Sequence, residues 1–171
     1  MPDVAARERL QPSLLDRLTD EKPHEGTEAS EQRALTLETL RKTVKRDLGW
    51  LLDATNLSAV HELEPYPEVA RSVLNFGLPD LAGRTASGID APELEGLLRN
   101  ALLAFEPRLL RSTLRVRLVM DEASMAHNAL TFEIEGELCT QPMPVRIFLR
   151  SELDLEGGGA QVTELTGAGK S

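Results

Sequence analysis

Asp90-Ala91-Pro92-Glu93-Leu94-Glu95-Gly96-Leu97-Leu98-Arg99-Asn100-Ala101-Leu102-Leu103-Ala104-Phe105-Glu106-Pro107-Arg108-Leu109-Leu110-Arg111-Ser112-Thr113-Leu114-Arg115-Val116-Arg117-Leu118 is where one hydrophobic period replaces another. Leu94, Leu97, Leu98, Ala101, Leu102 and Phe105 recur at helical spacing. Asp90 opens this helix, and Glu93 completes a capping-box-like pattern with it. Pro107 closes it, because the residue before a proline avoids α geometry. Beyond it, Leu114, Val116 and Leu118 alternate with Arg115 and Arg117, the period of a half-buried strand.

Downstream the alternation continues. Leu130, Phe132, Ile134 and Leu138 share a face, with Gly136 as a candidate bulge. Val145, Ile147 and Leu149 make a third strand, and Leu153 and Leu155 extend it or begin a fourth. The links 121–128 and Gln141-Pro142-Met143-Pro144 are too short for parallel crossovers, so the pairing is antiparallel. From Glu156 the Gly-rich sequence reads as a disordered tail over 156–171.

Upstream lie helices. Leu37, Leu40, Val44, Leu48, Leu51 and Leu52 mark an amphipathic helix ending near residue 53, with Ser30 available as its cap. Arg33, Arg41, Lys42, Lys45 and Arg46 give it a basic side, read either as a solvated face or as a docking surface. Pro67 suits a first helical position, and Gly77 suits an exit that needs positive φ. Asn75 precedes that exit, and Leu78-Pro79-Asp80-Leu81 follows as a shaped loop; residues 83–89 read as exposed. Residues 1–29 form a polar, turn-rich arm, either flexible or carrying a short helix (Leu10, Leu14, Leu15, Leu18) for a partner. The fold class is α+β: N-terminal helices packed on a small antiparallel sheet of three to four strands, mixed if another chain adds a strand.

The 171 residues carry 19 Lys+Arg and 28 Asp+Glu, a formal charge of −9. That balance argues against non-specific nucleic-acid binding, which needs clustered cations, and the 4% aromatic content offers no stacking platform. No apolar run reaches the roughly 20 residues of a membrane helix, so direct membrane insertion is not expected. With no signal-like start and one cysteine, Cys139, a reducing cytoplasm is the expected compartment. Cys139 reads as a buried apolar residue rather than a nucleophile. His24, His61 and His127 lack ligand spacing, and no phosphate-binding glycine motif occurs, so neither a metal nor a cofactor is expected.

Phe105-Glu106-Pro107-Arg108-Leu109 is the most informative pentapeptide. Pro107 is expected to extend the chain, placing Glu106 and Arg108 on one side. Two readings stay open: an internal salt bridge at a helix exit, or a guanidinium presented to a partner's oxygens. Arg99, Arg108, Arg111, Arg115 and Arg117 face only Glu106 across residues 99–117, which suggests contact with an acidic protein surface. Glu106 is also the one carboxylate in an unusual setting. Beside Arg108 it would stay ionised, which is wrong for the general acid of a glycosidase.

Val44-Lys45-Arg46-Asp47-Leu48-Gly49-Trp50-Leu51-Leu52, then Tyr66-Pro67-Glu68-Val69-Ala70-Arg71-Ser72-Val73-Leu74-Asn75-Phe76-Gly77-Leu78-Pro79-Asp80-Leu81, then Phe105-Glu106-Pro107-Arg108-Leu109, occur in that order. In this order they resemble the TssE family of type VI secretion baseplate subunits, itself similar to the small wedge protein of contractile phage tails, long labelled lysozyme-like. The resemblance covers about residues 10–155. It implies a wedge domain over 30–155 and a structural rather than enzymatic role at the cytoplasmic face of the inner membrane. It further implies larger wedge subunits (TssF, TssG and TssK type) and sheath subunits (TssB and TssC type) as partners, with no small-molecule substrate. Strands of neighbouring subunits would complete one sheet. The partner-binding residues it implies are Glu106, Pro107, Arg108, Leu109 and Arg111, with Asn75, Gly77, Pro79 and Asp80. On this reading Arg108→Ala keeps the fold and loses assembly. The alternative is a peptidoglycan hydrolase, as the lysozyme-like label suggests.

Overall fold

The sheet is an antiparallel meander of four strands in the order β1-β2-β3-β4. The strands are β1 (Arg115–Val119), β2 (Ala129–Leu138), β3 (Val145–Asp154) and β4 (Ala160–Glu164). Among the described residues four α-helices precede them: α1 (Leu14–Leu18), α2 (Leu37–Asp53), α3 (Pro67–Ala70) and α4 (Ala91–Phe105). A computed structural model supplies the coordinates and describes residues 13–19, 36–81, 90–119, 129–140, 143–156 and 159–165. The α+β class follows from this arrangement.

Period two decides the faces of the sheet. Val116, Phe132, Ile134, Ile147, Leu149 and Leu153 are buried on one side, while Arg115, Arg117 and Arg146 are exposed on the other. The helices cover the buried side: α4 packs over β1 and α2 over β4. Leu40, Val44, Leu48, Leu51 and Leu52 of α2, with Leu94, Leu98 and Leu102 of α4, complete one core. Each such leucine contributes roughly 1.5–3 kcal/mol of transfer free energy when fully buried.

Several expectations change in detail. The cap of α2 is Thr36, whose side chain accepts from the Thr39 N–H; Ser30 lies outside the described residues, as do 83–89, 121–128, 141–142 and most of the N-terminal arm. Asp90 is the N-cap of α4 but makes no side-chain cap bond. Pro92, at the second helical position, has no N–H to offer it. Gly136 is not a bulge: it pairs in register with Ile147. Its bare Cα faces Leu109 and Leu114, which a Cβ would meet at 3.5 and 3.7 Å.

Two sequence readings of the C-terminal half give way to the structure. Within the region read as a disordered tail, Ala160–Glu164 form β4, paired with Leu149–Leu153. Ala160 and Val162 pack against the core, so even this weakly apolar segment has something to bury. Cys139 is exposed, not buried. It follows the last β2 residue, and the side-chain alternation that buries Leu138 turns Cys139 outward.

Candidate functional site

The Glu106-Pro107-Arg108 segment stands at the exit of α4. Glu106 caps the helix, its N–H still bonded to the Leu102 carbonyl. Pro107 then bends the chain into a turn rather than an extended strand, closed by the Leu109 N–H on the Glu106 carbonyl at 3.2 Å. The expected side-by-side placement of Glu106 and Arg108 is therefore reached through a turn. Arg108 donates to Glu106 three times: its backbone N–H at 3.1 Å, Nε at 2.7 Å and Nη2 at 2.5 Å. Glu106 is 3% exposed.

A second carboxylate completes the arrangement. Arg108 Nη2 also donates to Asp47 Oδ2 of α2 at 2.7 Å. Asp47 Oδ1 accepts from Arg46 Nε at 2.9 Å and Nη2 at 2.7 Å. Arg46 Nη1 donates to Asp16 Oδ1 of α1 at 2.7 Å. Asp16 in turn receives the Ser13 hydroxyl at 2.6 Å, in a capping box. Acids and bases thus alternate from the buried end of α4 across α2 to α1. Burial pulls the Arg108 pKa down, but the Glu106 and Asp47 carboxylates outweigh it and raise it above the ordinary guanidinium value. Burial pulls Asp16 up, but the Ser13 and Arg46 hydrogen bonds outweigh it and leave its carboxyl below the usual range.

Asn75 and Gly77 serve this corner by shaping it. Asn75 Oδ1 accepts the Ser58 N–H, and its Nδ2 donates to the Ala70 carbonyl, both at 3.0 Å. Gly77 has φ 121°, and a Cβ there would lie 2.3 Å from the Ala54 carbonyl oxygen. That close approach permits the pair of bonds between Leu78 and the backbone of Ala54 and Asn56, each 2.8 Å. Phe76, held between Asn75 and Gly77, meets Phe105 edge to face at 5.2 Å. Pro79 is half-buried and Asp80 exposed.

Leu109 is 5% exposed and bridges to Leu138, so it packs the core. Pro107 and Arg111 are exposed. Beside them opens a groove of about 520 Å³, lined by Phe76, Phe105, Pro107, Trp50 and Leu15, among others. Asp47, Arg46, Trp50 and Asp16 belong to the same corner, although the sequence reading gave Asp47, Trp50 and Asp16 no role there and placed Arg46 only on the basic side of α2. The only signal was the Arg46-Asp47 pair within the block that carried the family resemblance.

The geometry commits Glu106 to Arg108 and leaves it no open access. Among the described residues no three His, Cys, Asp or Glu side chains cluster as metal ligands. Also among these residues, no helix is long and apolar enough to cross a membrane. Fold and site together define a helix-on-meander α+β protein in which Glu106, the most deeply buried charge among the described residues, is spent on structure. The chain belongs to the baseplate wedge protein gp25 family, whose family model matches residues 38–143, more than half of its length. No curated protein and no solved structure matches it. Membership supports a structural role in a baseplate, among other baseplate proteins.

Proposed function

We propose that this chain is the small wedge subunit of a type VI secretion baseplate, as the TssE-like order of its motifs implies. In this role it joins larger wedge subunits of the TssF, TssG and TssK type and helps start the sheath of TssB- and TssC-type subunits. It acts without catalysis, at the cytoplasmic face of the inner membrane. The observation that carries the reading is the turn at Pro107. A buried, fully bonded ion pair holds an exposed proline, with Arg111 nearby, at a fixed place on the surface. Such a rigid, shaped corner suits a permanent joint between subunits.

The sheet edges bear on the sheath contact. Along β1 the outward Leu118 N–H is taken by Glu95 at 2.9 Å, and the Leu114 carbonyl by Arg99 at 3.4 Å. Along β4 only the Ala160 N–H is taken in this way among the described residues, by Asp53 at 2.5 Å. Val162 and Glu164 share its orientation, so β4 is the edge we assign to an added strand.

The test is sheath assembly in cells, followed with a fluorescent sheath subunit. Removing this chain abolishes sheath formation and restoring it recovers it. Sheaths that assemble normally without it, or cell-wall lysis by the purified protein, contradict the reading.

A further inference from the structure

The chain of alternating charges ends on α1, a short segment at the rim of the groove. α1 has 5 residues, too few to be helical unaided. Leu15 is 45% and Leu18 75% exposed. Among the described residues, α1 is tied to α2 by Asp16 on Arg46 Nη1, whose side chains are 14% and 35% exposed. Ion pairs this exposed contribute little. Arg46 also lies over the ring of Trp50, 4.8 Å from its centroid, and Trp50 is itself 49% exposed.

The surface under α1 is better built than α1's hold on it. Arg46 is fixed by Asp47 through Nε and Nη2, leaving Nη1 aimed at one incoming carboxylate. Leu48 and Leu51 are buried beside it, and Phe76 and Phe105 are half-buried across the groove. About 520 Å³ of the groove stays open with α1 in place, so an incoming segment can seat before α1 leaves.

We propose that α1 is a displaceable strap and that the Arg46–Trp50 end of the groove docks a partner segment built like it: a carboxylate flanked by leucines on a short helix. The carboxylate replaces Asp16 on Arg46 Nη1, and the leucines occupy the groove that Leu15 only borders. Arginine–carboxylate bonding gives the contact its direction, and the apolar floor supplies its area. The inference rests on the wedge reading only for which subunit brings the segment.

The test uses the full chain and a fluorescent peptide of residues 10–20. The protein's single tryptophan, Trp50, serves as a second reporter. Asp16→Ala frees the strap, and Asp16→Ala with Arg46→Ala also removes the docking cation; circular dichroism confirms that both fold. The expected result is peptide affinity about threefold higher for Asp16→Ala than for wild type, with a shift in Trp50 emission, and a fall back to or below the wild-type affinity in the double variant. Equal affinity for wild type and Asp16→Ala, binding indifferent to Arg46, or no binding at all overturns the proposal. So does a wild-type dimer in which copies exchange α1, because the occupant is then a second copy. Failed assembly with wedge subunits alongside intact peptide binding would count against the wedge reading alone.

Discussion

Arg108 and Glu106, two residues apart across a proline, hold each other through three hydrogen bonds, and Asp47 of α2 accepts from the same Arg108 Nη2 that reaches Glu106. The pair pins the exit of α4 to the middle of α2. Its carboxylate is buried, so the arginine cannot leave without consequence. The expectation that Arg108→Ala keeps the fold fully intact therefore needs revision on physical grounds.

Removing one partner of a buried ion pair strands the other. Arg108→Ala is expected to lower unfolding free energy by about 3 kcal/mol or more in urea titrations. Replacing both members with apolar residues of similar volume, Arg108→Met with Glu106→Leu, should recover most of that loss. A double variant no more stable than Arg108→Ala would show that the buried charge is not the cause.

Three glycines separate backbone need from helix tolerance. Gly77→Ala forces a Cβ onto the Ala54 carbonyl at positive φ and should cost on the order of 2 kcal/mol. Gly49 and Gly96 lie inside helices with nothing within 4 Å of an added Cβ. Alanine at either should stabilise by about 0.5–1 kcal/mol. Thermal unfolding of the three variants reads both signs.

Asp16 gives the α1 contact a pH dependence. Its folded pKa is held below the ordinary aspartate range, so the stabilisation is complete above that range and lost as pH falls through the lower folded value. Trp50 emission should report an acid transition below about pH 4 that Asp16→Asn removes. A transition unchanged in Asp16→Asn assigns it to another group.

Glu95 guards the β1 edge. Glu95→Ala leaves the Leu118 N–H without its acceptor. Amide exchange at Leu118 should accelerate, and sedimentation should show concentration-dependent self-association through the opened edge. A monomer with unchanged exchange would mean that the edge is protected by other groups.

The helices and three of the strands were legible because period is local. Leu94 through Phe105 and Leu114 through Leu118 each declare a face within one element. The Pro67 start and the Gly77 turn were legible because proline and glycine restrict or free φ at single positions. β4 was hidden because Ala160-Gln161-Val162-Thr163-Glu164 has little apolar contrast and earns its place only by pairing with β3. The Arg108–Asp47 and Arg46–Asp16 bonds span 61 and 30 residues, and no periodicity within an element announces them. The Glu106–Arg108 pair was visible as a pair, but its closure by a turn depended on the Leu109 bridge to Leu138, a tertiary constraint.

Co-purification with the two larger wedge subunits tests the central claim most directly, comparing wild type with Pro107→Asp/Arg111→Asp. Those two positions are exposed and lie outside the ion-pair network, so the variant should melt within a few degrees of wild type. The expected result is a stable complex with wild type and none with the variant. Wild type eluting alone beside folded partners, or a variant bound as tightly as wild type, would contradict the placement of the wedge joint at the Pro107 turn.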